Sequence, residues 1–184
     1  MDDNTLLYPI VYTRQEQTFI AEMSQNAKDG LKLAKALRIS RLISKRFTQH
    51  LAERSMNLHS HLKTYMLKTC LFVLHHRLPD PTVKLLPEQW ALMMYKQLIE
   101  YVLKGEVPMP FDSLNSEDNT ALLFCGHRFD EITVNKALRS SCCDQRLDVL
   151  FIALQLKDVL ENYCQTSGID IVQPELKPYD HDAM

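Results

Sequence analysis

Thr64-Tyr65-Met66-Leu67-Lys68-Thr69-Cys70-Leu71-Phe72-Val73-Leu74-His75-His76-Arg77-Leu78 is apolar on almost every side of a helical wheel. A helix with no wide polar face lies in the middle of a folded body, because exposing any side of it would leave apolar surface in water. Its one polar strip carries Lys68 and His75. Pro79-Asp80-Pro81 ends the stretch, since the residue before a proline avoids helical dihedrals. A buried helix needs other elements around it, and the neighbouring sequence supplies helices. The fold class predicted is all-α, a compact helical bundle of five to seven helices with residues 64–78 at its centre.

Upstream, Thr13-Arg14-Gln15-Glu16 has the spacing of a capping box, followed by Phe19, Ile20 and Met23 at one-face positions. Polar Ser24-Gln25-Asn26 interrupts that helix. A second helix is expected from about Lys28 to about Glu53, packed on two sides. Downstream, Pro87 suits a first helical turn, and Trp90, Met94, Leu98 and Tyr101 share one face. Pro108 and Pro110 prevent continuation past Gly105. Residues 112–130 read as loop, with further helices around Ile132 to Ser140 and from Asp144 to Gln165, the latter stopped by Gly168. Strand signals are confined to Leu7 to Tyr12 and Ile169 to Val172. The tail, 173–184, reads as disordered.

The 184 residues contain four glycines, Gly30, Gly105, Gly126 and Gly168. Glycines so far apart cannot write the dinucleotide fingerprint, the P-loop or the hydrolase elbow. The net charge of −2 hides an asymmetry. Arg14 to Lys104 holds 15 Lys/Arg against 7 Asp/Glu, and Gly105 to Met184 holds 6 against 14. Two readings follow: a basic surface for phosphates or nucleic acid, and two halves that attract each other. The second is preferred, because a weak overall field recruits a polyanion poorly. Five cysteines form no even framework, no signal peptide is visible, and no apolar run approaches the roughly 20 residues of a membrane span. An intracellular, cytoplasmic setting with reduced thiols is expected, with no membrane segment.

Several segments share an order. Tyr8-Pro9-Ile10-Val11-Tyr12-Thr13-Arg14-Gln15-Glu16 leads, then Leu31-Lys32-Leu33-Ala34-Lys35, then Lys63-Thr64-Tyr65-Met66-Leu67-Lys68-Thr69. Trp90, Pro108-Met109-Pro110-Phe111 and Leu114-Asn115 follow. This order resembles the C-terminal helical lobe of the Mab-21-like family, which includes the cyclic GMP-AMP synthase-like receptors. The resemblance covers roughly residues 8–116; beyond it, 117–172 is expected to add acidic helices packed on the same body. It implies nucleotide contacts from Lys35, Thr64 and Tyr65: a point charge and a hydroxyl for phosphate, and a ring to stack on a base. Beside it stands a plainer reading, in which Tyr65 is core, Thr64 caps the helix and Lys35 is solvated.

Catalytic members of that family carry a Gly-Ser turn and three metal-binding carboxylates on a sheet ahead of this lobe. No Gly-Ser dipeptide occurs in this chain. Ser24 to Asp29, where the DNA-sensing members insert a zinc site, contains neither histidine nor cysteine. The expectation is therefore a non-catalytic binding or interaction lobe, with no catalytic residue, metal or cofactor of its own. The alternative is the helical half of a nucleotidyltransferase-like cyclic-dinucleotide receptor, whose catalytic half lies outside this chain. Partners on these readings are a nucleotide, an upstream catalytic half or a protein. Nucleic acid at the Lys28 to Arg46 helix is the weakest, because its cations fall in two sectors.

Other clusters read as structural. Cys125-Gly126-His127 with Cys142-Cys143 has no common zinc spacing, and Asp130-Glu131 point to different faces. His59-Ser60-His61 lacks a nearby carboxylate, His75-His76 ends a helix, and Cys70 reads as a packed, inert thiol. Lys68 is expected to pair with a carboxylate of the acidic half.

Overall fold

The structure is a computed structural model and describes residues 13–40, 62–78, 84–104, 106–108, 120–122 and 136–177. Its helices are α1 (Thr13–Glu22), α2 (Gln25–Ile39), α3 (Thr64–Arg77), α4 (Pro87–Lys104) and α5 (Lys136–Thr166). A short antiparallel ribbon, β1 (Glu106–Pro108) with β2 (Thr120–Leu122), sets Val107 opposite Ala121. The fold is all-α around that ribbon.

Ser24 explains the break between α1 and α2. It is the N-cap of α2, and its Oγ accepts the Ala27 N–H at 3.2 Å. From there Ala27, Gly30, Leu31 and Ala34 make a buried stripe at helical spacing. The helix does not run on to Glu53. At Ser40 the chain turns extended, and both its N–H and its hydroxyl donate to the Leu37 carbonyl, at 3.1 and 2.7 Å. One small polar residue thus ends a helix that the apolar pattern alone would continue. Residues 41–61 lie outside the described residues.

Helix α3 is buried as its sequence demands: Leu67, Cys70, Leu71 and Val73 are fully enclosed. It ends at Arg77, and Leu78, extended, precedes Pro79. The centre of the body is nevertheless shared. Helix α4 packs against α2, α3, α5 and β1. Trp90, Met94, Leu98 and Tyr101 form its inner face as predicted, but Ala91, Leu92, Tyr95 and Val102 are buried too. Burying a leucine-sized side chain contributes about 1.5–3 kcal/mol, against at most ~1 kcal/mol for a surface ion pair, so this packing fixes the arrangement.

The start of α4 combines three signals. Pro87 occupies the first position, Glu88 lies in the first turn where the helix dipole favours a carboxylate, and Gln89 reaches back. Gln89 Oε1 accepts the Leu86 N–H at 2.7 Å, which is the returning half of a capping box.

Two helices expected over 132–140 and 144–165 are one. Between Lys136 and Thr166 there is neither glycine nor proline, and Ser140-Ser141-Cys142-Cys143 are weak helix formers rather than breakers. Gly168 stops α5 with φ +67°. The Ile169 N–H donates to the Cys164 carbonyl at 2.8 Å and the Gly168 N–H to Gln165 at 3.4 Å, a Schellman closure. Ile169 to Val172 is not a strand; it has no regular secondary structure and continues as an irregular strap to Lys177. Residues 173–177, read as part of a disordered tail, are held there, with Leu176 packed on the core. The strand signal at 7–12 and residues 178–184 lie outside the described residues, as does 112–130 apart from β2.

Candidate functional site

Lys35 lies on the third turn of α2 and is half-buried rather than fully solvated. Thr64 is the first residue of α3, so it does not cap that helix; Lys63 holds the cap position and contributes no side-chain hydrogen bond there. Tyr65 is the second residue of α3, and its side chain lies outside those described. The structure brings the elements carrying Lys35 and Thr64 together. Helices α2 and α3 pack against each other, and Arg38, one turn beyond Lys35, donates from Nη1 to the Leu62 carbonyl at 2.7 Å. That bond pins the C-terminal end of α2 beside the segment that leads into Thr64.

Chemically, this corner offers cations and the start of a helix whose first turn has no side-chain cap. The Met66 N–H donates to the Lys63 carbonyl at 3.1 Å in that first turn. Two other basic residues of α2 have their partners within the fold. Lys28 Nζ donates to the Ala21 carbonyl at 3.2 Å, and Lys32 pairs with Asp29 at 2.8 Å. Hydrogen bonds from Lys32 and Gln25 hold the exposed Asp29 carboxyl below its usual range. Arg41, Lys45 and Arg46 lie outside the described residues.

The other clusters settle into structure. Burial raises the Cys70 thiol far above its usual range, so it is not a nucleophile at neutral pH. Burial likewise lowers His75, against a smaller opposing influence from Glu22, and its ring meets Phe19 edge-on at 5.3 Å. Phe19 also meets Phe72 edge-on at 5.5 Å, which ties α1 to α3. Lys68 is half-buried on α3. Among the described residues, no three His, Cys, Asp or Glu side chains converge as metal ligands. His59, His61, Cys125, His127, Asp130 and Glu131 lie outside the described residues, as do the side chains of Cys142 and Cys143. Among the described residues, no helix is long and apolar enough to cross a membrane.

The charge asymmetry finds a physical counterpart. Lys96 of α4, in the basic half, pairs with Glu161 of α5, in the acidic half, at 3.1 Å. Glu161 also receives Lys157 at 3.1 Å.

Three functional features escape the sequence. Gly30 marks the closest approach of α2 to α4: a Cβ there would stand 2.5 Å from Trp90 Cβ and 2.9 Å from the Pro87 carbonyl oxygen. Gln89 joins the start of α4 to the strap, donating from Nε2 to the Asp170 carbonyl at 2.7 Å. Arg77 exchanges two hydrogen bonds with Lys177. A glycine in mid-helix was the only available signal, since it costs about 1 kcal/mol against alanine unless packing needs it.

Compared with known proteins, the chain matches no protein-family model, no characterised protein and no solved structure.

Proposed function

We propose that this chain is a non-catalytic helical lobe of the Mab-21-like type that works as a binding or interaction module. The observation that carries the reading is the corner where α2 meets α3. Arg38 Nη1 bonded to the Leu62 carbonyl at 2.7 Å sets the Leu-Lys-Leu-Ala-Lys helix beside the head of the buried helix, the juxtaposition the motif order implies. The lack of any Gly-Ser dipeptide supports a lobe without phosphate-transfer machinery of its own.

The second reading, a helical half that contributes Lys35, Thr64 and Tyr65 to a cyclic dinucleotide, gains support from the same corner. Lys35 lies on α2, which packs against α3, and the Lys63 side chain forms no cap at the start of α3. Calorimetric titration of the chain with cyclic GMP-AMP, ATP and GTP separates the two. An interaction lobe gives no saturable heat and no shift in Tm. Saturable binding that Lys35→Ala weakens at least ~10-fold, as loss of a phosphate-contacting charge does, replaces the first reading with the second.

A further inference from the structure

Residues 169–177 leave the glycine-terminated end of α5 and reach the end of α3 with no regular secondary structure. Three hydrogen bonds hold this strap. Gln89 Nε2 donates to the Asp170 carbonyl at 2.7 Å, the Lys177 N–H donates to the Arg77 carbonyl at 2.8 Å, and Arg77 Nε donates to the Lys177 carbonyl at 2.7 Å. Each engages a main-chain atom of the strap. Its side chains are read at Ile171 and Leu176, which pack half-buried on the core five positions apart. Val172, Gln173, Glu175 and Lys177 face solvent. Pro174 has a fixed φ and biases Gln173 away from helical dihedrals, which narrows the conformations open to the strap before it docks.

The seat is organised from its own side. Gln89 is 7% exposed and already fixed by the Leu86 N–H, which leaves its amide nitrogen for the strap. Arg77 is steadied by Gln97 Oε1 at 3.2 Å, and Gln97 donates in turn to Glu100 at 2.7 Å. Fixed donors at both ends and an acceptor at one engage main-chain atoms, and a core surface takes two aliphatic side chains, the division between affinity and specificity that peptide recognition uses. Such recognition is blind to the exposed positions of its ligand.

We propose that this seat is a docking site for a non-helical peptide carrying two aliphatic residues five positions apart, and that residues 169–177 fill it in cis as a displaceable internal ligand. The site uses neither Lys35 nor Thr64, so it stands or falls apart from the lobe reading. A short tether presents its own ligand at roughly millimolar effective concentration. A peptide in trans therefore meets an occupied seat until the strap is released.

The test uses the full chain. Ile171→Asp with Leu176→Asp unseats the strap and leaves the seat intact. A fluorescent peptide of sequence 169–177 then binds this variant at least ~10-fold more tightly than the unaltered chain, read by anisotropy. The same peptide carrying both aspartates binds neither. Equal binding to both chains, or to neither, overturns the proposal. Hydrogen exchange on the unaltered chain checks it independently of the variant's folding. The Lys177 amide is expected to exchange through a local opening, well ahead of the Leu98 amide in α4. If the two exchange together, the strap is part of the core and the proposal fails.

Discussion

Helix α4 is flanked by two contacts of opposite character. Against α2 it meets small residues: Ala27, Gly30 and Ala34 bring the two backbones close, and Trp90 stands over Gly30. Against α5 it meets bulk, with Val149, Ile152, Leu156 and Leu160 buried on the facing side. The first contact is fixed by the absence of atoms and the second by their presence. Small-residue packing has no room to adjust, whereas aliphatic packing degrades by degrees. The two sides of one helix should therefore answer mutation differently.

Gly30→Leu is the harshest way to break the first contact. Trp90 Cβ and the Pro87 carbonyl are rooted in the α4 backbone, so neither can swing aside, and the added side chain must prise the helices apart. The cost should exceed the roughly 4 kcal/mol that marks exceptional substitutions. The expected result is loss of the cooperative thermal transition by circular dichroism. A variant melting within a few degrees of the parent would show that α2 and α4 do not meet so closely.

Leu156→Ala probes the other side. Leu156 is fully buried, and removing its branched end leaves a cavity that α4 and α5 can partly close. A loss of about 2–5 kcal/mol is expected by urea denaturation, with the transition still cooperative. Replacement by methionine should cost less than ~1.5 kcal/mol, because the volume is nearly kept. If methionine were as damaging as alanine, the aliphatic contact would be as unforgiving as the glycine one.

A buried polar tie joins α4 to α2. Tyr95 Oη donates to the Ala34 carbonyl at 2.7 Å, and burial raises the hydroxyl above its usual range, so it remains a donor. Tyr95→Phe keeps the ring and removes the bond. About 1 kcal/mol should be lost, seen as a shift of the urea midpoint with the slope unchanged. No shift would mean that the tight contact rests on shape alone.

These differences also explain what could be read in advance. The buried stretch at 64–78, the Trp90-Met94-Leu98-Tyr101 face and the Gly168 stop are local patterns, and periodicity or a single backbone requirement writes them into sequence. Gly30 is not local: its reason is Trp90, 60 positions on. The strap is illegible for a different cause, since its bonds run through main-chain atoms that every residue carries. Ser40 ends α2 without a glycine or proline to announce it. Of the candidate site, the placing of Lys35 and Thr64 on two different helices follows from the motif order, but the Arg38 bond that ties the end of α2 to the segment before α3 needed three dimensions.

The smallest expected effect concerns the rim of the α4–α5 contact. Burial tends to raise the Glu161 carboxyl, but hydrogen bonds from Lys157 and Lys96 outweigh it and hold the group below its ordinary 4.5. As pH falls, the unfolded chain takes up this proton first. The contribution is whole above about pH 4.5 and fades as the pH drops through the folded value. Both side chains of the Lys96 pair remain about a quarter exposed, so the pair is worth under ~1 kcal/mol. Glu161→Gln should therefore lower Tm by no more than a few degrees at pH 7, and the gap from the parent should close as the pH falls below the folded value. A gap that persists in acid would assign the loss to packing instead of charge. A gap that closes gives the charge asymmetry its proper size: the basic and acidic halves do attract across α4 and α5, and the aliphatic residues beneath do nearly all of the holding.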